Sequence, residues 1–322
     1  MDTFYQIKPG LLKRSCLALG FFDGVHPGHE VVIRKAVERA RELGCTPAVV
    51  TFKEHPRSLT LGKSPPLLTL IDRRLELFES VGIEAALVLS FTEELCRLDP
   101  EDYVRSVLVE CMGAKSLSVG FNHRFGRNRV GDPELLRKLG EKFGYDVHVA
   151  PEIIIDDAPV SSSRIREAIT HGRVEEATML LARPYAVGGI VEHGNARGRT
   201  IGFPTANINV PEEQVMPEIG VYAAAARMPD GQRLPAVVNI GRRPTFGDGG
   251  PLKTEVHVLD WSGDLYDKPL SVELLHYVRG EKKFNGIDEL KAQIQHDCNA
   301  SRQYLKQHPE YLSNASQQSS LV

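Results

Sequence analysis

No C-x-x-C pair occurs among the five cysteines of this 322-residue chain (Cys16, Cys45, Cys96, Cys111, Cys298), which argues for reduced thiols over disulfides or zinc ligation. No apolar run approaches the length of a membrane span and the N-terminus has no signal-peptide core, so a cytoplasmic protein with no membrane partner is expected. Neither sign of charge dominates: 39 Lys and Arg stand against 42 Asp and Glu, a net charge of −3. That balance speaks against a general nucleic-acid binder with a basic surface. The dinucleotide fingerprint G-x-G-x-x-G is missing, and so is a G-x-x-x-x-G-K-[ST] Walker loop. There is no internal repeat. The composition is that of an ordinary globular protein, 42% hydrophobic and 25% charged, and the length suffices for two domains.

The first half alternates strand and helix patterns. Apolar runs at 16–19, 47–52, 84–91, 115–120 and 145–150 read as buried strands, and helical periodicity appears near 71–81, 101–112 and 132–143. Such alternation implies right-handed crossovers and a parallel sheet, whose ligands sit at the carboxyl ends of the strands. Two short helices follow, at 161–171 and 173–182. The texture changes at Arg183-Pro184-Tyr185. From there short strands at 186–192, 220–227, 235–240, 253–260 and 270–278 give the pattern of an all-β sandwich or barrel, closed by a helix at 286–305. The polar end from about 313 reads as disordered. The domains are expected at 1–183 and 184–322.

One stretch stands out: G-F-F-D-G-V-H-P-G-H at 20–29, between the strand at 16–19 and an amphipathic helix whose apolar residues run from Val31 to Leu43 and stop at Gly44. A strand, a Gly-rich turn and a helix start bring unpaired N–H groups and the positive dipole end onto any anion. His26 and His29 add donors. Each could instead be a cap or a surface group, or the two could join Asp23 around a metal. The proline between them and the glycines around them suit close backbone approach better than side-chain ligation.

Three further segments carry chemistry. Gly120 to Gly131 places Arg124, Arg127 and Arg129 with Asn122 and interleaved Phe residues on a loop after a strand. Ser161-Ser162-Ser163 opens a helix with Arg166 one turn in, a start suited to capping and equally to phosphates. Gly194 to Asn207 is a Gly-punctuated, Arg-bearing loop ending in P-T-A-N. There Thr205 and Asn207, two apart, offer hard oxygens on one side of an extended strand, as Mg²⁺ wants.

His26-Pro27-Gly28-His29 resembles the H-x-G-H signature of nucleotidylyltransferases. The wider string 20–29 is similar to the adenylylating domain of bacterial bifunctional riboflavin kinase/FMN adenylyltransferases. The segments at 120–126 and 161–166 resemble that family's G-x-N/D-F-x-F-G and S-S-T-x-x-R blocks, with His123 where Phe is common and Ser163 for Thr. Glu54-His55-Pro56 stands for the more usual P-H-P. Gly198 to Asn207 resembles the riboflavin kinase signature G-R-x-x-G-x-P-T-A-N, and Thr254 to Asp260 the E-x-H block. Asn239 to Phe246 and Arg279 to Phe284 also match family blocks.

The resemblance covers about residues 15 to 305. It implies a Rossmann-like parallel-sheet nucleotidylyltransferase domain followed by a β-barrel riboflavin kinase domain with a closing helix. It implies phosphorylation of riboflavin to FMN in the second and adenylylation of FMN to FAD in the first, with ATP and Mg²⁺. On this expectation His26 and His29 stabilise charge on the α-phosphate, and Gly24, Gly28, Asn122, Ser162, Ser163 and Arg166 hold ATP. In the kinase half Gly198 and Arg199 cover phosphates, Thr205 and Asn207 hold metal, and Glu255 accepts the ribityl proton. Phe125, Arg279 and Phe284 are expected to contact flavin. Small molecules are the only expected partners of a monomer or weak homo-oligomer. The rivals are a chain with one half degenerate and a non-catalytic flavin sensor that binds RNA. The intact motifs weigh against the first and the acidic balance against the second.

Overall fold

In the computed structural model, residues 1–55, 64–194, 197–242 and 252–313 are described. Pro56, Asn195, Ala196, the block Arg243-Pro244-Thr245-Phe246 and the tail from 314 lie outside them. The chain forms two compact units, 1–162 and 163–322.

The first unit is built on a six-stranded sheet: β1 (Asp2–Phe4), β2 (Ser15–Leu19), β3 (Thr46–Phe52), β4 (Ala85–Leu89), β5 (Ala114–Gly120) and β6 (Asp146–Ala150). Every neighbouring pair is parallel, in the order β1-β4-β3-β2-β5-β6. The central strands β2 and β4 are buried at every residue, which is why they read as continuous apolar runs rather than alternating ones. One face packs Leu17, Leu87 and Leu117 against Val104, Leu108 and Leu136. The other sets Ala18, Val49 and Ala86 under Ile33, Ala36 and Phe78.

Helix α1 (Pro27–Leu43) starts with extended His26 as its N-cap and Pro27 in its first turn, and ends at Gly44 in the left-handed region, φ 60°. α2 (Ile71–Val81) and α3 (Pro133–Phe143) complete the crossovers with a helical segment over 100–111, α-helical at Pro100–Tyr103 and wider, with π-helical hydrogen bonding, at Val104–Cys111. After β2 the chain builds outward through β3 and β4, then crosses back to place β5 on the other side of β2. Strand order therefore reverses between β2 and β5. The carboxyl edge between β2 and β5 is therefore the switch point, the place where open α/β sheets bind ligands.

Two short paired strands, β7 (Ile154–Ile155) and β8 (Ala158–Pro159), precede α4 (Ser162–Thr170), all but the first residue of which belongs to the second unit. There α5 (Val174–Leu181) packs on β9 (Tyr185–Glu192) and β14 (Pro269–Arg279). With β10 (Ala206–Asn209), β11 (Gly220–Arg227), β12 (Arg233–Arg242) and β13 (Leu252–Val258), these strands close an antiparallel barrel in the order β10-β13-β12-β11-β14-β9. Five of the six strands are legible as apolar segments. The sixth, β10, is four residues long and is reached from the sequence only as the P-T-A-N end of a loop.

Helix α6 (Ile287–Gln307) lies on the outer wall, with Cys298 and Ile294 against Val221, Val237 and Leu259. A charged clasp holds it there. Arg279 Nε and Nη2 donate to the Asp297 carboxylate at 2.7 to 3.1 Å, and Gln293 Nε2 donates to Asp297 Oδ1 at 2.9 Å. Asp297 is only 2% exposed. Replacing it with Ala leaves the guanidinium against the barrel without its counter-charge, and a loss of about 3 kcal/mol is expected. Urea unfolding followed at Trp261, the only tryptophan in the chain, measures this; an unchanged midpoint would show that the clasp contributes nothing.

Candidate active sites

The turn between β2 and α1 does not follow ordinary backbone geometry. Phe22, Gly24 and Val25 have φ of 57°, 87° and 40°, a left-handed run that only external anchors can hold in place. Asp23 supplies one anchor. Its carboxylate, 2% exposed, accepts the amides of Leu68 at 3.1 Å and Thr69 at 3.0 Å, while Gly24 N–H donates to Thr69 Oγ1 at 3.0 Å. The Ser162 hydroxyl donates to Asp23 O at 2.9 Å. Asp23 thus serves as a backbone clamp, and the amide of Gly24, expected among the ATP contacts, is engaged by Thr69.

The turn delivers His26 and His29 as a stacked pair, ring centroids 3.6 Å apart and planes within 20°, at the N-terminus of α1. Phe22 braces His29 edge-on at 5.4 Å and itself rests on Phe78. At Gly28 a Cβ would stand 3.2 Å from His26 Cε1, so a side chain there would press on the imidazole. Stacked imidazoles over a helix start at the switch point have the chemistry of a donor set for an anion.

The neighbouring β3 loop joins the same edge, as Thr51 Oγ1 donates to Phe21 O at 3.0 Å. Beneath it lies Arg74 on α2, fully buried. Burial pulls its guanidinium down to about 10, against the raising influence of the Asp23 carboxylate, so it stays charged at neutral pH. The sequence gives no warning of this residue: Arg73-Arg74 looks like a solvated face of an amphipathic helix.

On the other side of the switch point, the β5 loop turns back through His123 N–H to Gly120 O at 3.1 Å and closes with an antiparallel bridge between Phe125 and Gly131. Asn122 is exposed at its tip. Phe125 is buried, and its ring packs toward Tyr103 and belongs to the core. The open aromatic ring on this loop is instead Phe121, 50% exposed. Two of the arginines are engaged in surface ion pairs, Arg124 with Asp132 at 3.2 Å and Arg127 with Asp99 at 2.9 Å. Ser163 and Arg166 follow Ser162 on α4.

In the barrel, strand register assembles the second site. Asn207 on β10, Glu255 on β13 and Asn239 on β12 are cross-strand partners in one row. On β13, Thr254, Val256 and Val258 are buried while Lys253, Glu255 and His257 alternate outward, so the row lies on the outer face. Asn239 Nδ2 donates to Glu255 Oε2 at 3.4 Å, and Lys253 is ion-paired with Oε1. Asn207 Oδ1 is buried with no hydrogen-bond partner among the described residues, and its amide fills the space that a Cβ at Gly194 would need.

Thr205 immediately precedes β10; its Oγ1 would be 3.2 Å from a Cβ at Gly198, whose carbonyl accepts Phe203 N–H at 2.8 Å. Thr205 and Arg199 line a cavity of about 290 Å³ walled by Val191, Val256, Trp261 and Tyr266. Arg279 is taken up by Asp297, with Phe284 5.8 Å from its guanidinium.

His123 carries a pH signature. Burial, reinforced by the Arg124 and Arg129 cations, pushes its imidazole from 6.5 down to about 4. Unfolded, His123 takes up a proton near 6.5; folded, only near 4. The first unit should therefore lose stability as pH falls from about 6.5 to about 4, and His123→Phe should flatten that loss. Thermal unfolding across this range checks it, and parallel acid profiles for the two proteins would contradict it.

Comparison with known proteins follows the same division. A family profile described as FAD synthetase matches residues 9–164, and one described as riboflavin kinase matches 181–305. Bifunctional riboflavin kinase/FMN adenylyltransferases of Pseudomonas fluorescens and Bacillus subtilis are each 37% identical, over 90% of this chain and 93% and 92% of theirs. A crystal structure described as a macrolide-efflux protein from Streptococcus pneumoniae is 31% identical, with a TM-score of 0.84 over 94% of this chain and 99% of that one. Among the described residues no helix of this chain is long and apolar enough to cross a membrane. Two stacked histidines at the switch point of a parallel sheet, a polar row on a closed barrel and these matches over nine-tenths of the length have one source: the chain belongs to the bifunctional riboflavin kinase/FMN adenylyltransferase family.

Proposed function

We propose that this chain makes FAD from riboflavin in two ATP-dependent transfers, each in its own unit. In the first, the ribityl hydroxyl attacks the γ-phosphorus of ATP, giving FMN and ADP. In the second, a phosphate oxygen of FMN attacks the α-phosphorus of another ATP, giving FAD and pyrophosphate. The stacked His26–His29 pair at the helix start carries the adenylyl half of this reading. As the α-phosphate becomes pentacoordinate its charge grows, and donors already fixed in place follow it without reorganisation. The FMN phosphate is itself the nucleophile, so no covalent enzyme intermediate is needed. Asn122, Ser162, Ser163 and Arg166, with the amides around Gly24 and Gly28, are the proposed ATP contacts.

In the barrel, Glu255 accepts the hydroxyl proton; Asn239 and Lys253 hold its carboxylate in place. The partnerless Asn207 Oδ1, with the Thr205 hydroxyl nearby in sequence, suits a hard cation, and these two are the proposed Mg²⁺ ligands. Bound there, Mg²⁺ would neutralise charge on the phosphates. The apolar cavity bearing Trp261 and Tyr266, with Arg199 at its lining, suits a nucleotide base with its phosphates toward the Gly198 turn. Phe121, the exposed ring of the first loop, is the proposed flavin neighbour there in place of the buried Phe125, and Phe284, beside the clasped Arg279, is the one proposed in the barrel unit. The same reading makes the enzyme cytoplasmic, monomeric or weakly self-associating, and without a nucleic-acid partner.

Separate sites should fail separately. Glu255→Gln is expected to lower FMN formation by about 10²- to 10⁴-fold and leave FAD formation from supplied FMN intact. His26→Ala should do the reverse, lowering FAD formation by about 10²- to 10³-fold. Chromatography of flavins after incubation with riboflavin, ATP and Mg²⁺ reads both. Loss of both activities in either variant would contradict two independent sites.

A further inference from the structure

Arg74 takes no part in the chemistry described above, yet its whole side chain is removed from water. Two of its nitrogens reach three backbone carbonyls. Nη1 donates to Phe21 O at 2.9 Å and Phe52 O at 2.8 Å, and Nη2 donates to Thr69 O at 3.3 Å. The guanidinium also lies 4.4 Å from the centre of the Phe21 ring, whose other contact is the edge of His55 at 5.0 Å. A guanidinium stripped of water is costly unless its donors are met; here Nη1 and Nη2 are met by the chain at the ends of β2 and β3 and before α2, while Nε has no partner among the described residues.

These attachment points lead to the histidines along two short paths. Phe21 precedes Phe22, whose ring braces His29. Thr69 is gripped at its carbonyl by Arg74 and at its amide by Asp23, and its hydroxyl holds Gly24, two residues from His26. A buried cation and a buried anion thus grip one residue from opposite sides, and the left-handed run from Phe22 to Val25 is fastened between them.

We propose that Arg74 is a positioning residue for adenylyl transfer: by tying Phe21, Phe52 and Thr69 together it fixes the turn that presents His26 and His29. The inference rests on the adenylyl-transfer reading of that pair. The function requires the fork as well as the charge, because a lysine ammonium at this site cannot reproduce planar contacts to carbonyls on three segments and a stacked ring.

The test measures FAD formation from supplied FMN, with riboflavin kinase activity of the same preparations as an internal reference. Arg74→Met is expected to lower kcat about 100-fold, the scale of a small misplacement of catalytic groups, with KM for ATP and FMN changed less than about threefold. Arg74→Lys should recover little of that loss. Combined with His26→Ala, Arg74→Met should cost well under about 100-fold further, since one of the two groups it positions is already gone. Thr69→Val, a gentler change that removes the hydroxyl link to Gly24 on the His26 side of the turn, should lower kcat about 10-fold and cost less than that in the His26→Ala background; it carries the test if Arg74→Met does not fold. Near-wild-type turnover in Arg74→Lys, or full additivity with His26→Ala, would overturn the inference. If His26→Ala alone leaves FAD formation at the wild-type rate, the adenylyl-transfer reading falls and this inference with it.

Discussion

A carboxylate cut off from water has to be satisfied by donors of the protein itself, and each half of this chain uses such a group to fasten a segment in place. In the first unit Asp23 collects the amides of Leu68 and Thr69 and so determines where a turn of unfavourable backbone geometry is held. In the second, Asp297 collects the guanidinium of Arg279 and the amide of Gln293 and so fixes α6 to the barrel. Neither group needs to touch a substrate. Each holds in place a segment that would otherwise fluctuate.

The proposed reading needs two versions of phosphoryl chemistry. Adenylyl transfer uses a nucleophile that is already an anion, so its site needs electrophilic stabilisation, the role proposed for the stacked histidines at a helix start. Kinase transfer uses a neutral hydroxyl, so its site needs a base held by neighbours, the role proposed for Glu255 in its row with Asn207 and Asn239. A parallel sheet provides helix starts at its carboxyl edge. A barrel wall provides side chains in register across strands. Each reaction is matched to what its fold supplies most directly.

Much of this is legible in the sequence because it depends on local pattern. Strands β2 to β6 of the parallel sheet and helices α1, α2 and α3 are encoded by runs and periodicities, whereas edge strand β1 is three residues long and leaves no run to read; the strings at 20–29 and 198–207 carry family resemblance directly. What escapes is set by tertiary context. Arg74 has the sequence neighbourhood of a surface residue and is fully buried because three carbonyls await it. Phe125 reads as an accessible ring beside arginines, yet the bridge to Gly131 turns it into the core. Arg279 is expected from the resemblance to contact flavin, while its ion-pair partner Asp297 lies 18 residues away on a helix, beyond any local pattern. The strand β10 is too short for a periodic signal and exists because β9 and β13 pair with it from both sides.

The central claim is that one chain performs both transfers on one flavin, and it is tested most directly by following the phosphorus atoms. Purified protein would be incubated with riboflavin, Mg²⁺ and ATP labelled either at the γ- or at the α-phosphorus, and the flavins separated. The account requires γ-label in FMN and in the FMN half of FAD, and α-label only in the AMP half of FAD. FAD that lacks α-label, or FMN that lacks γ-label, would contradict it.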